Sequence, residues 1–166
     1  MGSHGPAYHR RSPAAFQPFK PTCDTSELRK CTKQQVVNSY DNSVLYTDHV
    51  LAKTIGFLKS QSERYDTAML YVSDHGESLG ENNLFLHGMP YAIAPKEQTH
   101  VPMVMWFSDS YASSRGIDLG CLRGRAAQHA SHDDLFHTVL GMLDVQTKTY
   151  EPALDVLRTC RVAAAP

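Results

Sequence analysis

Two short, uninterrupted apolar runs, AMLYVS at 68–73 and VPMVMWF at 101–107, frame a segment from Asp74 to His100 that is dense in glycine, histidine and carboxylate. Runs of this length without polar alternation mark strands buried on both faces of an α/β sheet. A connection this long inside a compact domain is usually functional or disordered, and its density of His, Asp, Glu and Gly argues for function. It opens with Asp74, His75 and Gly76 at the point where the strand ends. Adjacent side chains on a strand point to opposite faces. Asp74 and His75 therefore converge on one object only where the backbone turns, and Gly76 supplies the freedom to turn. A carboxylate oxygen with an imidazole nitrogen suits a divalent metal, zinc above all. A catalytic zinc takes about three protein ligands, and Glu77, Glu81, His87 and His4 are the remaining candidates. Glu77 and Glu81, at i, i+4 spacing, also fit a solvated helical face, Glu81 in particular, and His87 beside Gly88 also fits a surface loop. His9, His49, His100, His129, His132 and His137 show no partner pattern and read as ordinary; the scattered tyrosines read as packing.

On the N-terminal side, residues 1–31 are rich in proline and aromatics (Pro6, Pro13, Phe16, Pro18, Phe19, Pro21). Proline at this density forbids regular ladders, so the segment is expected to lie irregularly over something else. From Thr32 the pattern changes. Val37, Tyr40, Val44, Leu51, Ile55 and Leu58 recur at helical spacing, predicting a helix of about eight turns with this stripe facing the core. Thr32 and Gln35 form its capping box. SHDDLFHTVLGMLDV (131–145) predicts a second amphipathic helix, capped by Ser131, with Asp133 and Asp134 at its positive end and Leu135, Val139 and Leu143 inward. The tail RVAAAP is expected to fray. Helix and strand alternate, so the fold class is α/β, yet two or three strands make a thin sheet, as in part of a domain.

Charge excludes one class of partner. Sixteen Lys plus Arg against 17 Asp plus Glu leave a net charge of −1, and there is no basic run, so nucleic-acid binding has no electrostatic basis. No stretch approaches the roughly 20 apolar residues of a membrane span, and no signal peptide is recognisable. The opening MGSH has the look of an expression tag, but a tag normally brings several consecutive histidines. Of the four cysteines, Cys23 and Cys31 bracket a short polar segment, and Cys121 and Cys160 are placed to close a long loop. Free thiols or a zinc cluster are the alternatives. The close cysteine spacing of a zinc cluster is missing, which favours two disulfides and an oxidising compartment.

The segment YVSDHGESLGENNLFLHGMPYAIAPKEQTHVPMVMWFSD resembles the catalytic domain of the lipid A phosphoethanolamine transferases, which include the mobile colistin-resistance enzymes and belong to the alkaline phosphatase/sulfatase superfamily. The likeness continues through GSHGPAYHRR, the phenylalanine–proline–cysteine context of Cys23, VVNSYDNSVLYTDHVL and SHDDLFHTVLGMLDV, nearly the whole chain. By this resemblance residues 1–166 form the C-terminal half of an alkaline phosphatase/sulfatase-like α/β/α domain, and GSH at the start is native sequence. Asp74 and His75 match the pair that binds the catalytic zinc. His87 matches a histidine that holds the phosphoryl group or a second zinc, and His4 another histidine of the same outer shell. Cys23 and Cys31 match a family disulfide, with Cys121 and Cys160 as a further pair.

The implied parent reaction moves phosphoethanolamine from phosphatidylethanolamine to lipid A at the periplasmic face of the inner membrane, lowering the charge that attracts polymyxins. Family members carry N-terminal transmembrane helices and then a first half of the catalytic domain. That half supplies the nucleophilic threonine and a glutamate that completes the zinc site. Neither is assignable here, since Thr22, Thr25 and Thr67 stand in the wrong contexts, so the chain is expected to be inactive alone. The alternatives are a short gene product that pairs with a separate N-terminal half or acts as a non-catalytic binding module, and a sulfatase- or phosphatase-type hydrolase of the same superfamily. The extended GSHGP and SDHGESLGEN blocks favour the transferase.

Overall fold

The computed structural model describes residues 2–162, and these form two compact units. One gathers the chain up to Phe57 with Leu70–Val104; the other gathers Leu58–Met69 with the chain from Met105 onward. Among the described residues no helix is long and apolar enough to cross a membrane. The expected tag reading of Met1 lies outside the described residues.

In the first unit the proline-rich segment is irregular, with one-turn 3-10 helices at Tyr8–Arg10, Ala14–Phe16 and Leu28–Lys30. It lies on helix α1, Lys33–Gln61, which has 29 residues. The capping box closes reciprocally: the Gln35 N–H donates to Thr32 Oγ1 at 3.3 Å, and the Thr32 N–H to Gln35 Oε1 at 2.9 Å.

The buried face of α1 differs from the apolar stripe that its periodicity predicts. Buried are Val36, Asn38, Ser39, Asn42 and Ser43, whereas Val44 is 42% exposed. The cause is the overlying segment, whose backbone polar groups have no ladder to join and must be satisfied in another way. Asn42 accepts the Phe19 N–H at 3.1 Å and donates to the Phe19 carbonyl at 2.9 Å. Asn38 donates to the Pro21 carbonyl, and Ser39 Oγ accepts the Cys23 N–H at 2.7 Å. A polar stripe therefore clamps the segment, and the Cys23–Cys31 disulfide closes it. Tyr8, Cys23, Leu28 and Val36 make the adjoining core, with Tyr40, Leu79, Phe85 and Leu86 packed against it.

The two apolar runs form β1, Ala68–Val72, and β4, Met103–Phe107, which pair in one sheet. The Ser108 N–H donates to the Thr67 carbonyl at one end and the Ser73 N–H to the Pro102 carbonyl at the other, so the strands run antiparallel. Their burial falls short of the expected two-faced burial. Only Met69 of β1 and Phe107 of β4 are buried, and Met103 and Val104 are each 36% exposed. With only two strands, neither has neighbours on both edges. The segment between them is ordered: a small antiparallel hairpin of β2, Ser78–Leu79, and β3, Phe85–Leu86, then the short helix α2, Lys96–Thr99.

In the second unit α3, Asp109–Ser114, is capped by Ser108, and α4, Leu119–Arg125, by Asp118. Phe107, Tyr111, Ala112, Ile117 and Leu157 form the core, and the Cys121–Cys160 disulfide bonds its last turn to α4. The predicted C-terminal helix is α5, Asp133–Met142. Ser131 caps it through the Asp133 N–H, and Asp134 returns a bond to the Ser131 N–H. Its inward face again differs from expectation: Val139 and Leu143 are 38% and 65% exposed, while His137, Thr138 and Gly141 are buried. These residues receive residues 151–156, because His137 Nδ1 accepts the Glu151 N–H at 2.9 Å and Thr138 Oγ1 the Val156 N–H at 3.2 Å. A Cβ on Gly141 would strike the Asp155 carboxylate. His137 is thus a structural acceptor rather than an ordinary surface histidine. The first two residues of the tail are held as well, Arg161 in a bridge with Ile117 and Val162 through the Gly116 carbonyl; the rest of the expected frayed tail lies outside the described residues.

The α1 clamp yields a test that hydrophobicity alone would rank the other way. Asn42→Ala leaves both Phe19 groups unpartnered and should cost about 1–3 kcal/mol in urea unfolding. Val44→Ala, at a more apolar but exposed position, should stay within about 0.5 kcal/mol.

Candidate metal centre

The site grows from the end of β1. Ser73 Oγ donates to the His75 carbonyl at 2.7 Å, and the His75 N–H to Asp74 Oδ1 at 3.1 Å, fixing the first turn. Gly76 is needed here for close approach. Its N–H donates to the Gln98 carbonyl at 2.9 Å, and a Cβ would overlap the Glu97 carbonyl oxygen. Its φ is not in the left-handed region, so the expectation of conformational freedom gives way to a steric reason.

The hairpin sets the next two residues. Ser78 pairs with Leu86 and Leu79 with Phe85, so the same register carried one step outward sets Glu77 opposite His87. Their side chains meet there: His87 Nδ1 lies 3.3 Å from Glu77 Oε1. Leu86 has a φ of +66°, a left-handed conformation rarely adopted by a branched apolar residue and of order 1–2 kcal/mol in strain. It redirects the chain immediately before His87.

His4 arrives from the N-terminal segment. His4, His75 and His87 each present one ring nitrogen, and these atoms lie within 4.8 Å of one another. The His75 and His87 rings stack with centroids 3.7 Å apart, and His4 stands edge-on to them at 5.5 and 4.7 Å. Every Nδ1 faces an oxygen that only accepts: the Gly5 carbonyl at 2.6 Å for His4, the Gly76 carbonyl at 2.9 Å for His75, and Glu77 Oε1 for His87. Such an acceptor puts the proton on Nδ1 and leaves Nε2 as the lone-pair atom of each ring. Metal-binding histidines are held in this way, with the second nitrogen donating to a carbonyl or carboxylate. Asp74 stands apart from the three. Its side chain is 91% exposed, with Oδ1 3.9 Å from His75 Nε2. The structure therefore brings together three of the four predicted site residues, with Asp74 at their edge.

Glu77 is neither solvated nor helical. Its side chain is 4% exposed; Oε1 accepts the Gly5 N–H at 3.0 Å and Oε2 the Tyr8 hydroxyl at 3.1 Å. Burial, reinforced by the Glu77 charge, pushes the Tyr8 phenol far above its ordinary range and keeps it a donor. Glu77 thus joins GSHGPAY, SDHGES and LHG around one carboxylate. Sequence reading missed this role and that of Tyr8, although the turn residues Gly80, Asn82 and Asn83 between Glu77 and His87 signal a hairpin that would pair them. Glu81 is also outside any α-helix. It accepts the Leu79 N–H at 2.6 Å and faces Lys33 at 3.5 Å. Burial works to raise its carboxyl, but the N–H bonds and Lys33 outweigh it and hold the group below the ordinary glutamate range.

A set of imidazole nitrogens with a carboxylate at its edge is the donor chemistry of zinc. Residues 1–145 match the family model described as Sulfatase. The chain belongs to the sulfatase family. Within it, the chain is 51% identical to phosphoethanolamine transferase EptA of Escherichia coli strain K12, over 97% of its own length and 30% of that protein. It is 55% identical to phosphatidylethanolamine transferase Mcr-1 of Escherichia coli over 64% of its length and 20% of that protein. Among solved structures, the soluble domain of lipooligosaccharide phosphoethanolamine transferase A from Neisseria meningitidis matches with a TM-score of 0.93 and 50% identity, across 98% of this chain and 49% of that one. The C-terminal periplasmic domain of EptC from Campylobacter jejuni matches with a TM-score of 0.85 and 46% identity, across 99% of this chain and 51% of that one. The mixed helix-and-strand fold is that of these domains, and the chain spans about a third of its full-length curated relatives.

Two outcomes follow from this geometry. In calorimetric zinc titrations, His4→Ala, His75→Ala and His87→Ala should each weaken binding by about tenfold or more, with Glu81→Gln near wild type. Glu81, with a lowered folded pKa, stabilises the fold fully above the ordinary glutamate range and loses that contribution as pH falls through the lowered value. Acid unfolding followed by circular dichroism should therefore be less pH-dependent in Glu81→Gln.

Proposed function

We propose that residues 1–166 are the C-terminal part of the catalytic domain of a phosphoethanolamine transferase. The enzyme takes phosphoethanolamine from phosphatidylethanolamine and delivers it to lipid A at the periplasmic face of the inner membrane. The observation that carries this reading is the convergence of His4, His75 and His87 in a chain that matches the soluble domain of such an enzyme along 98% of its length. The apolar faces left exposed on α1 and α5, at Val44, Val50, Val139 and Leu143, support the reading that further chain completes the domain.

On this reading Asp74 and His75 hold zinc. The bound ion supplies Lewis acidity toward a phosphoryl oxygen and an attacking hydroxyl. His4 and His87 hold the phosphoryl group or a second zinc through Nε2, since each Nδ1 already faces an acceptor. In the neutral form that nitrogen accepts a proton from an attacking hydroxyl, and in the charged form it donates to a phosphoryl oxygen. Glu77 keeps the His87 ring from rotating between these tasks. The attacking group is a threonine outside this chain, joined by a glutamate that completes the metal site. The threonines of unsuitable context are already engaged: Thr22 Oγ1 donates to Asp24, Thr25 Oγ1 accepts the Glu27 N–H, and Thr67 Oγ1 bonds Ser62 and the Leu58 carbonyl. Ethanolamine carries a positive charge, so its transfer lowers the negative charge that binds cationic polymyxins.

Mass spectrometry of lipid A separates the outcomes. Cells expressing only these 166 residues should show no added phosphoethanolamine. Cells expressing them fused behind the preceding part of a related transferase should show it, and His75→Ala in that fusion should abolish it. Modification by the 166 residues alone would defeat the division of the active site. In zinc titrations of the chain, Asp74→Asn should weaken binding in the same direction as His75→Ala.

A further inference from the structure

Tyr8 belongs to none of the metal-binding or phosphate-binding groups, yet it is 1% exposed, and its hydroxyl points at the carboxylate that governs two of the three histidines. We propose that Tyr8 is a positioning residue for the metal centre. By donating to Glu77 Oε2 it holds the carboxylate in the one rotation that gives Oε1 to both the Gly5 N–H and His87 Nδ1. This inference rests on the proposed metal site and extends it to a residue two hydrogen bonds removed from His87.

The geometry leaves the carboxylate little choice while the phenol is present. Glu77 is buried, so an oxygen without a donor would carry the full desolvation penalty. Oε1 is satisfied by Gly5 and His87 and Oε2 by Tyr8. The phenol is itself closely packed: its ring stands edge-on to Tyr40 with centroids 5.4 Å apart, and Gly5 lies directly against its hydroxyl, where a Cβ would collide. Removing the hydroxyl strands Oε2 in the interior. The carboxylate then turns toward its remaining donors, Gly5 and His87, and competes for both with either oxygen. His87 loses a fixed acceptor for Nδ1, its proton redistributes between the two nitrogens, and Nε2 is no longer reserved as the lone-pair atom. His4 is affected through Gly5, the residue that carries both the N–H given to Glu77 and the carbonyl that holds His4 Nδ1.

Tyr8→Phe in the 166-residue chain tests this with little change in packing. Long-range proton–nitrogen NMR spectra, recorded without metal, report the tautomer of each histidine. Cobalt(II) titration, followed by visible absorption, reports the affinity of the site. We expect His87 to pass from a single Nδ1–H form in the wild type to a mixture, and the cobalt dissociation constant to rise about tenfold, the usual effect of losing an outer partner of a metal ligand. Tyr40→Phe removes a neighbouring phenol that is not the Glu77 donor and should change neither reading. Glu77→Gln keeps the Tyr8 ring in place and should release His87 in the same direction, so Tyr8→Phe added to it should have little further effect. The proposal fails if His87 in Tyr8→Phe keeps its single tautomer with cobalt affinity within twofold, if Tyr40→Phe causes an equal loss, or if the Tyr8 and Glu77 effects simply add. A wild-type chain that binds no cobalt would count against the metal site itself, while the tautomer spectra would still decide the role of Tyr8.

Discussion

A single buried carboxylate organises the first unit. Glu77 receives donors from three directions, the Tyr8 phenol, the Gly5 backbone and the His87 ring. A carboxylate taken out of water is costly unless each oxygen is matched, and this one is matched only when the N-terminal segment, the end of β1 and the hairpin occupy their observed places. The same bonds that make Glu77 tolerable inside the protein therefore define where His4 and His87 stand. Satisfying a buried charge and bringing the histidines together are here one structural requirement.

Much of the chain was legible because its signals are local. The capping box at Thr32 and Gln35, the extent of α1, both strands, the caps of α5 and the grouping of chemistry beyond β1 all follow from short-range pattern. The two departures on the helices share one cause. On α1 and α5 the predicted apolar stripe is only half-buried, with Val44, Val139 and Leu143 exposed, while Asn, Ser, Thr and His positions on the same helices are fully buried. Periodicity reads amphipathicity, and the buried partners of these helices are not apolar surfaces but irregular chain segments with unsatisfied backbone groups. Asn42 is buried because Phe19 needs a donor and an acceptor together, a need that arises 23 residues away in sequence. No window along the helix contains that information.

Within the site, Asp74, His75, His4 and His87 were singled out through the motifs that contain them, and Glu77 as a candidate ligand, whereas the buried acceptor role of Glu77 and the part played by Tyr8 were not legible. Glu77 sits in the same block as Asp74, but its spacing to Glu81 suggested a helix, and only the hairpin register shows that its natural neighbour is His87. Tyr8 lies far from that block in sequence and carries no motif that distinguishes it from a packing tyrosine. What marks it is the carboxylate beside its hydroxyl, a tertiary fact. Gly76 was singled out correctly for a reason that proved different, since the Glu97 backbone leaves no room for a side chain.

The hairpin also behaves as a ruler graduated in pairs. Because strand partners advance in opposite directions along β2 and β3, Glu77 meets His87 only while the residues between them keep their parity. Removing or adding one residue in the turn at Gly80–Leu84 would carry the imidazole to the other side of the ribbon, whereas adding or removing two could restore it. Variation among related chains should therefore be quantised in the length of this turn, and limited in composition at Gly80, Asn82 and Asn83, whose φ angles are positive.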